Sequence, residues 1–451
     1  MNDPIAAIST ALGVGAISII RVSGEDSIKI VNSITKNKKI LEASTHTINY
    51  DYIVEENKII DEVLISVMKA PKTFTCENIV EINAHGGIST TNEILRLLLK
   101  NGCRLAEPGE FTKRAFLNGR IDLTQAEAVS DLINSKTEKN REIAINQLSG
   151  KISTMIKNLR NEILEILANI EVNIDYPEYE DIEIVTNEKV KIEIKKMIEK
   201  IKKIIESSEN MILIKEGIKT SIIGRPNVGK SSILNRLLDE EKAIVTEIAG
   251  TTRDIVEGKI SLDGTMLHIF DTAGIRKTND KIEKIGVQKS IELIDKSDLV
   301  LFVVSNNERI SKEEKQIIES LENKKFIIVI NKNDLKKEIE IPEEYKKNVI
   351  EINTIDEKSI EILKQKIKEM FSSEKIELED MSYITNARSL SLLEKAYNIL
   401  IEIDTSLETS LPIDILEIDI KEVWSILGEI IGETYDEELI DQLFSQFCLG
   451  K

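Results

Sequence analysis

The sequence predicts a multidomain α/β and α protein. It has an N-terminal α+β domain, an all-helical domain split along the chain, and an α/β domain inserted into the helical one. Three observations carry this. Residues 1–119 mix short β runs (16–22, 63–68 and 79–84) with one clear helix at 90–101, an α+β pattern. Beyond Asp122, apolar residues recur at three- and four-residue steps: Ile152, Ile156, Leu159, Ile163, Ile166 and Ile170, and then Val190, Ile194, Met197, Ile198, Ile201 and Ile205. These are the core-facing stripes of two long amphipathic helices, separated by a break in the acidic stretch 175–181. From Ile218 the period switches to alternating strands and helices, the signature of a mostly parallel sheet. Helical texture returns after residue 380, with Leu390, Leu393, Ala396, Ile399 and Leu400 on one stripe. The expected boundaries are 1–119, 120–215, 216–373 and 374–451, and 451 residues are too many for one ordinary core.

The totals exclude several classes. A net charge of -19, from 79 acidic against 60 basic residues, argues against a groove coated with positive charge, so nucleic-acid contact must come from a local patch or a partner protein. Cys76, Cys103 and Cys448 are odd in number, far apart and form no CxxC pair, which suits a reducing compartment better than a disulfide framework or zinc site. Residues 5–20 are apolar but lack a basic leader and contain Gly13 and Gly15, so they read as strand-turn-strand rather than a signal peptide. No stretch approaches the roughly 20 uncharged residues of a membrane span. The expectation is a soluble, cytoplasmic protein without a membrane role.

The inserted domain carries the chemistry. The run GRPNVGKS from Gly224 to Ser231 fits G-x4-G-K-[ST], follows an apolar strand (218–223) and opens a helix (232–238). Glycines there let backbone N–H groups point at phosphate oxygens, and the helix N-terminus adds positive potential. Lys230 is expected to reach the β- and γ-phosphates and Ser231 to ligate Mg²⁺. Thr251-Thr-Arg-Asp254 follows about twenty residues on, as a switch loop whose threonine closes on magnesium. Asp271-Thr272-Ala273-Gly274 ends a strand at 266–270, placing a carboxylate beside the metal. Asn331-Lys332-Asn333-Asp334 follows a strand at 326–330, and its Asp334 accepts from N1–H and the exocyclic amine of guanine, a pattern adenine lacks. Four motifs in this order, each tied to a strand, predict a Ras-like P-loop domain that binds and hydrolyses GTP. The expected nucleotide-binding set is Asn227, Val228, Gly229, Lys230, Ser231, Ser232, Thr246, Glu247, Ile248, Ala249, Gly250, Thr251, Thr252, Asp271, Thr272, Ala273, Gly274, Asn331, Lys332 and Asp334. Two details narrow the type. Ile275 stands where Ras-like proteins put the water-orienting glutamine, leaving Asp280, Glu283 and Glu292 as candidates, and Asn353-Thr354 replaces the usual Ser-Ala pair of the last guanine motif.

The phosphate loop with Asn227, the run IAGTTRD at 248–254 and the terminal Cys448-Leu-Gly-Lys451 together resemble the MnmE (TrmE) family of tRNA-modification GTPases. So do IVEINAHGG at 79–87, PGEFTKRAFLN at 108–118, DLTQAEA at 122–128 and SLPIDILEIDI at 410–420. Departures are the TALG turn at 10–13, without the family's proline and arginine, and Leu449 in place of isoleucine. The resemblance covers the whole chain. It implies an N-terminal folate-binding and dimerising domain, a discontinuous helical domain and the inserted G domain, forming a homodimer. The implied partner is the FAD protein MnmG (GidA), as a heterotetramer, and the product an aminomethyl or carboxymethylaminomethyl group on C5 of the tRNA wobble uridine. It also implies K⁺ held by Asn227, Thr246, Ile248 and Thr251, and Mg²⁺ held by Ser231 and Thr252. Glu283 would orient the attacking water. Arg21, Glu81, Arg120 (where a lysine also occurs) and Lys451 would bind formyl-tetrahydrofolate or another one-carbon tetrahydrofolate, and Cys448 would be a nucleophile or line that pocket. Without the resemblance, Arg21 and Glu81 are strand-edge charges, His85 is a turn histidine and Cys448 a small apolar residue. The competing reading is a regulatory ribosome-assembly GTPase without modification chemistry, although no second phosphate loop and no KH-type loop accompany the first.

Overall fold

The computed structural model describes residues 3–56, 58–175, 187–239, 258–262, 265–269, 286–322, 324–371, 383–409, 413–435, 437–447 and 449–450. The chain forms two compact units, residues 1–134, 144–198 and 395–451 in one, residues 135–143 and 199–394 in the other.

The first unit opens with β1 (Ile5–Ile8), β2 (Ile17–Ser23), α1 (Ser27–Ile34), β3 (Thr47–Glu55), β4 (Lys58–Met68), β5 (Ile79–His85), α2 (Ile88–Lys100), β6 (Arg104–Leu105) and α3 (Glu110–Leu117). The strands form one sheet in the order β3-β4-β5-β2-β1-β6. Its two faces follow from the two-residue period of a strand. Ala6 and Ile8 of β1 join Ile20, Val22, Ile65 and Ile82 under α1 and α2, whereas Ile5 and Ala7 turn to the opposite side and meet Phe111 of α3. The helix expected at 90–101 starts earlier, at Ile88, with Thr91 N–H bonded to the Gly87 carbonyl.

Helices α4 (Leu123–Asn134), α5 (Glu138–Leu148), α6 (Lys151–Asp175) and α7 (Asn187–Glu216) follow. Asp122 caps α4: its carboxylate accepts from Gln125 N–H at 3.0 Å and the Thr124 hydroxyl at 2.6 Å, and Gln125 Oε1 accepts from Asp122 N–H at 3.0 Å. This reciprocal pair satisfies helix-end donors. All six residues of the Ile152–Ile170 stripe are buried, worth roughly 1.5–3 kcal/mol each in gross hydrophobic free energy. On α7, Val190, Ile194, Met197 and Ile201 are buried, while Ile198 and Ile205 are only half-buried. The acidic break falls at the end of α6 and continues outside the described residues.

The second unit contains β7 (Ile218–Ile223), α8 (Lys230–Asp239), β8 (Gly258–Leu262), β9 (Thr265–Ile269), α9 (Gly286–Asp295), β10 (Leu299–Ser305), α10 (Lys312–Glu319), β11 (Lys325–Asn331), β12 (Val349–Glu351) and α11 (Glu357–Phe371). The sheet order is β12-β11-β10-β7-β9-β8, parallel except for the β8–β9 hairpin. Strands β10 and β11 are buried on both faces, the reason they read as unbroken apolar runs. Three motif-bearing loops leave the same, carboxyl edge of this parallel sheet, where doubly wound sheets bind ligands. The chain closes with α12 (Ala387–Glu408), α13 (Ile413–Ile431) and α14 (Glu437–Ser445). Within the first unit α6 lies along α13, whose Leu416, Ile420, Val423, Leu427 and Ile430 are buried. Among the described residues no helix is long and apolar enough to cross a membrane.

Candidate active site

The run from Gly224 to Lys230 turns tightly between β7 and α8, and its backbone explains its glycines. Gly224 has φ +144°, and a Cβ there would sit 2.1 Å from the Val303 carbonyl oxygen. Gly229 has φ +103°, and a Cβ would meet the Asn331 amide nitrogen at 2.0 Å. Asn227 takes φ +60°, which an asparagine tolerates better than most residues, and is exposed at the loop's crest. Val228 is buried behind it and anchors the loop to the core. The result is a tight backbone curl at the N-terminus of α8, the kind of loop whose N–H groups can cradle an anion.

Lys230, the first residue of α8, reaches back over this curl. Its Nζ donates to the carbonyls of Gly224 at 2.7 Å and Arg225 at 2.6 Å. Burial pushes its ammonium pKa down to about 8. Ser231 and Ser232 are exposed on the first turn.

Asn331 ends β11 with its side chain 1% exposed. Its Nδ2 donates to the Val228 carbonyl at 2.8 Å, and its Oδ1 accepts from Thr354 N–H at 3.3 Å. One side chain thus joins the phosphate loop, the loop after β11 and the loop after β12. Lys332 follows at φ +61°, turning the chain so that Asp334 lies exposed beyond it. The departure at Asn353-Thr354 keeps a backbone donor: Thr354 N–H is engaged by Asn331, and Asn353 Oδ1 accepts from Ile355 N–H at 3.0 Å. Glu292 is exposed on α9. Residues 246–252, 271–274 and 283 lie outside the described residues.

A second cluster lies where Gly450 meets Ser9 and Arg21. Arg21 on β2 faces Glu81 on β5 in register, with Nη2 to Oε1 at 2.8 Å. Gly450 lies against the start of the chain. Its carbonyl accepts from Ser9 Oγ at 3.0 Å and from Arg21 Nη1 at 3.5 Å. Its φ is +85°, and a Cβ there would fall 2.5 Å from the Ile8 carbonyl oxygen. Among the described residues, Arg120 connects to this group by way of Phe74. Its guanidinium stacks 5.0 Å from the Phe74 centroid and donates to the Phe74 carbonyl at 3.1 Å, while Arg21 lies 5.6 Å from Phe111, whose cluster includes Phe74. Arg120 lines a cavity of about 470 Å³ with Met68, Pro71, Lys72, Thr73, Phe74 and Cys76; Arg21 and Glu81 do not line it. Cys448 and Lys451 lie outside the described residues.

Some features no motif announced. Arg114, 2% exposed, donates to Glu77 at 3.1 Å, to Glu110 at 3.0 Å and to the Asp3 carbonyl at 2.9 Å, fixing α3 beside the second cluster. His85, expected in a turn, ends β5 instead, and its Nδ1 lies 2.6 Å from Asp61, which raises its pKa.

With this geometry in hand, comparison with known proteins gives consistent matches. A model of the MnmE helical domain matches residues 123–448, and one of the GTP-binding protein TrmE N-terminus matches residues 4–120. The chain is 51% identical over 455 residues to the tRNA modification GTPase MnmE of Bacillus cytotoxicus, covering 100% of this chain and 99% of that one. It is 50% identical over 450 residues to the protein so named in Streptococcus thermophilus, covering 100% and 98%. The solved G domain of the T. maritima FeoB iron transporter, 25% identical, covers 35% of this chain and 99% of its own, but its TM-score of 0.26 carries no weight.

Proposed function

Because this chain belongs to the MnmE family of tRNA modification GTPases, we propose that it couples potassium-stimulated GTP hydrolysis to modification of the tRNA wobble uridine. With an MnmG-type FAD partner it would install an aminomethyl or carboxymethylaminomethyl group on C5, acting as a cytoplasmic homodimer within a heterotetramer. The boundaries 1–119, 120–215, 216–373 and 374–451 remain our assignment of the folate-binding, helical, G and second helical segments.

The observation that carries this reading is the docking of Gly450 onto Ser9 and Arg21. A nucleotide switch alone has no use for a C-terminal tail tied to the first strands of the chain. A one-carbon site built from Arg21, Glu81, Arg120, Lys451 and Cys448 does. Two guanidiniums over aromatic rings suit a ligand that is both anionic and planar, the chemistry of a folate.

In the G domain the curled backbone before α8 would cradle the phosphates, and Lys230 would turn from the loop carbonyls to the β- and γ-oxygens. Asp334 would select guanine. The exposed left-handed Asn227 fits a cation ligand, since its side-chain carbonyl is free of the core. With Thr246, Ile248 and Thr251 it would hold potassium, and Ser231 and Thr252 would hold magnesium. Bound there, the two ions would supply positive charge to the phosphates. Glu283 would orient the attacking water, the role Ile275 cannot fill.

The test has two arms. Hydrolysis in potassium should exceed that in sodium strongly, and Asn227→Ala should remove the difference while GTP binding persists. Nucleosides from a strain lacking the chain should lose the C5 group and regain it on complementation. Equal rates in both salts reject the potassium assignment, and unchanged nucleosides reject the modification reading.

A further inference from the structure

We propose that Arg225 is a positioning residue for the phosphate loop: seated on the buried carboxylate of Glu314, it fixes the main chain whose carbonyls hold Lys230. The inference rests only on the loop's binding of GTP, not on potassium or on tRNA chemistry.

Arg225 is the second residue of the GRPNVGKS run, and neither the motif pattern nor the proposed cation site gives its side chain a task. That side chain leaves the loop and crosses to the segment between β10 and α10. There it donates to the Glu314 carboxylate and, at 2.9 Å, to the Arg309 carbonyl, with Glu308 3.4 Å away. Glu314 is the third residue of α10 and closes its capping box. Glu314 Oε2 accepts from Ser311 N–H at 2.9 Å, and Ser311 Oγ accepts from Glu314 N–H at 3.2 Å. The Glu314 side chain is only 2% exposed. A carboxylate that deep requires a cation, and Arg225 supplies it. The pairing in turn raises the Arg225 pKa.

The other end of the same residue completes the link. The Arg225 carbonyl accepts from Lys230 Nζ at 2.6 Å. One residue therefore ties the cap of α10 to the lysine that faces the phosphates. Between this anchor and the Val228 carbonyl, held by Asn331, only Pro226 and Asn227 intervene. The loop is clamped on both sides of its crest.

The pair also has unused capacity. Arg225 Nε and Glu314 Oε1 are both buried without hydrogen-bond partners. They are complementary, so a small rotation gives the parallel two-bond arrangement typical of arginine and carboxylate.

The experiment compares Arg225→Ala, Arg225→Lys, Glu314→Gln and the Arg225→Ala/Glu314→Gln double variant in the full chain. It reads the affinity of a fluorescent GDP, GTP turnover and thermal unfolding. Arg225→Ala and Glu314→Gln should each weaken GDP binding and raise KM by roughly tenfold, the worth of one charged hydrogen bond. The kcat should stay within about twofold, because the loop contacts nucleotide in ground and transition states alike. Arg225→Lys should recover only part of the affinity, since a point charge cannot span Glu314 and the Arg309 carbonyl together. The double variant should be no worse than Arg225→Ala. Affinities within about twofold of the parent, with only the melting temperature lowered, would make the pair a helix cap and overturn the proposal. Additive losses would overturn it too. Should Arg225→Ala fail to fold, Arg225→Lys and Glu314→Gln carry the same comparison.

Discussion

The Asn331 side-chain amide donates to the Val228 main-chain carbonyl across 2.8 Å, joining the end of β11 to the glycine-rich loop before α8. The bond is buried, and the same side chain accepts from Thr354 N–H. On the proposed assignment of these loops, both ends of a bound nucleotide would be referred to this one side chain. Asn331→Ala leaves the Val228 carbonyl and Thr354 N–H without this partner, at about 1–3 kcal/mol. GDP and GTP affinity should fall by roughly ten- to a hundredfold. Equilibrium titration with a fluorescent nucleotide checks this, and affinity within about twofold of the parent would mean the loops are held by other bonds.

Asp334→Asn should exchange base preference rather than abolish binding. In the proposed site the carboxylate would accept from two donors of guanine, whereas an amide presents one acceptor and one donor, matching the added carbonyl of xanthine. Competition between GTP and xanthosine triphosphate reads the exchange. Unchanged GTP affinity would show that the base is held elsewhere, with Asn353 and Thr354 the next residues to test.

Lys230 should give nucleotide binding a defined pH dependence. Burial lowers its pKa from 10.5 to about 8 in the free protein. Phosphates beside the ammonium favour the charged form, so the pKa rises on binding and the complex takes up a proton. A raised bound-state pKa means the contribution is fully present below about 8 and is lost as pH climbs from there toward the bound value. GTP affinity should be flat from pH 6.5 to 7.5 and then weaken by up to about tenfold per unit. Calorimetry in buffers of different ionisation enthalpy should detect proton uptake at pH 8.5. Zero uptake there, with flat affinity to pH 9.5, would place the Lys230 pKa near its ordinary value.

Much of the G domain is legible in sequence because its signals are local. β7 spans the expected 218–223, and β11 extends the expected 326–330 by one residue at each end. The glycines at 224 and 229 occupy backbone that other residues resist. Strand β3 is hidden for a physical reason. Asp51, in its middle, is buried and accepts from Asn37 N–H at 3.1 Å and Asn37 Nδ2 at 3.0 Å, so a core position reads as polar. The pairs Arg225–Glu314 and Arg114–Glu77 are hidden because their partners lie 89 and 37 residues away, and no period reports such distances. Arg120 illustrates the limit of a resemblance. It suggests membership of a site, yet only the structure gives the route from Arg120 through Phe74 and Phe111 to Arg21.

Gly450 provides the sharpest separation of the two activities. An alanine there would need φ +85°, and its methyl would lie 2.5 Å from the Ile8 carbonyl oxygen and 3.0 Å from Ser9 Cα. Both obstacles are main chain of a buried strand and the residue after it, so the tail must yield. The strain alone is about 1–3 kcal/mol. Gly450→Ala should therefore detach the tail, strongly lowering wobble-uridine modification and formyl-tetrahydrofolate binding. GTP turnover should change by less than about twofold, because the phosphate loop and Asn331 lie in the other compact unit. Ser9→Ala removes one hydrogen bond to the same carbonyl and should produce a milder loss in the same direction. Nucleoside mass spectrometry, folate titration and phosphate release measure the three quantities. Full modification by Gly450→Ala would show that the docked tail takes no part in it. A parallel fall in hydrolysis would instead make the tail a support for the fold, and the assignment of Cys448 and Lys451 to a one-carbon site would go with it.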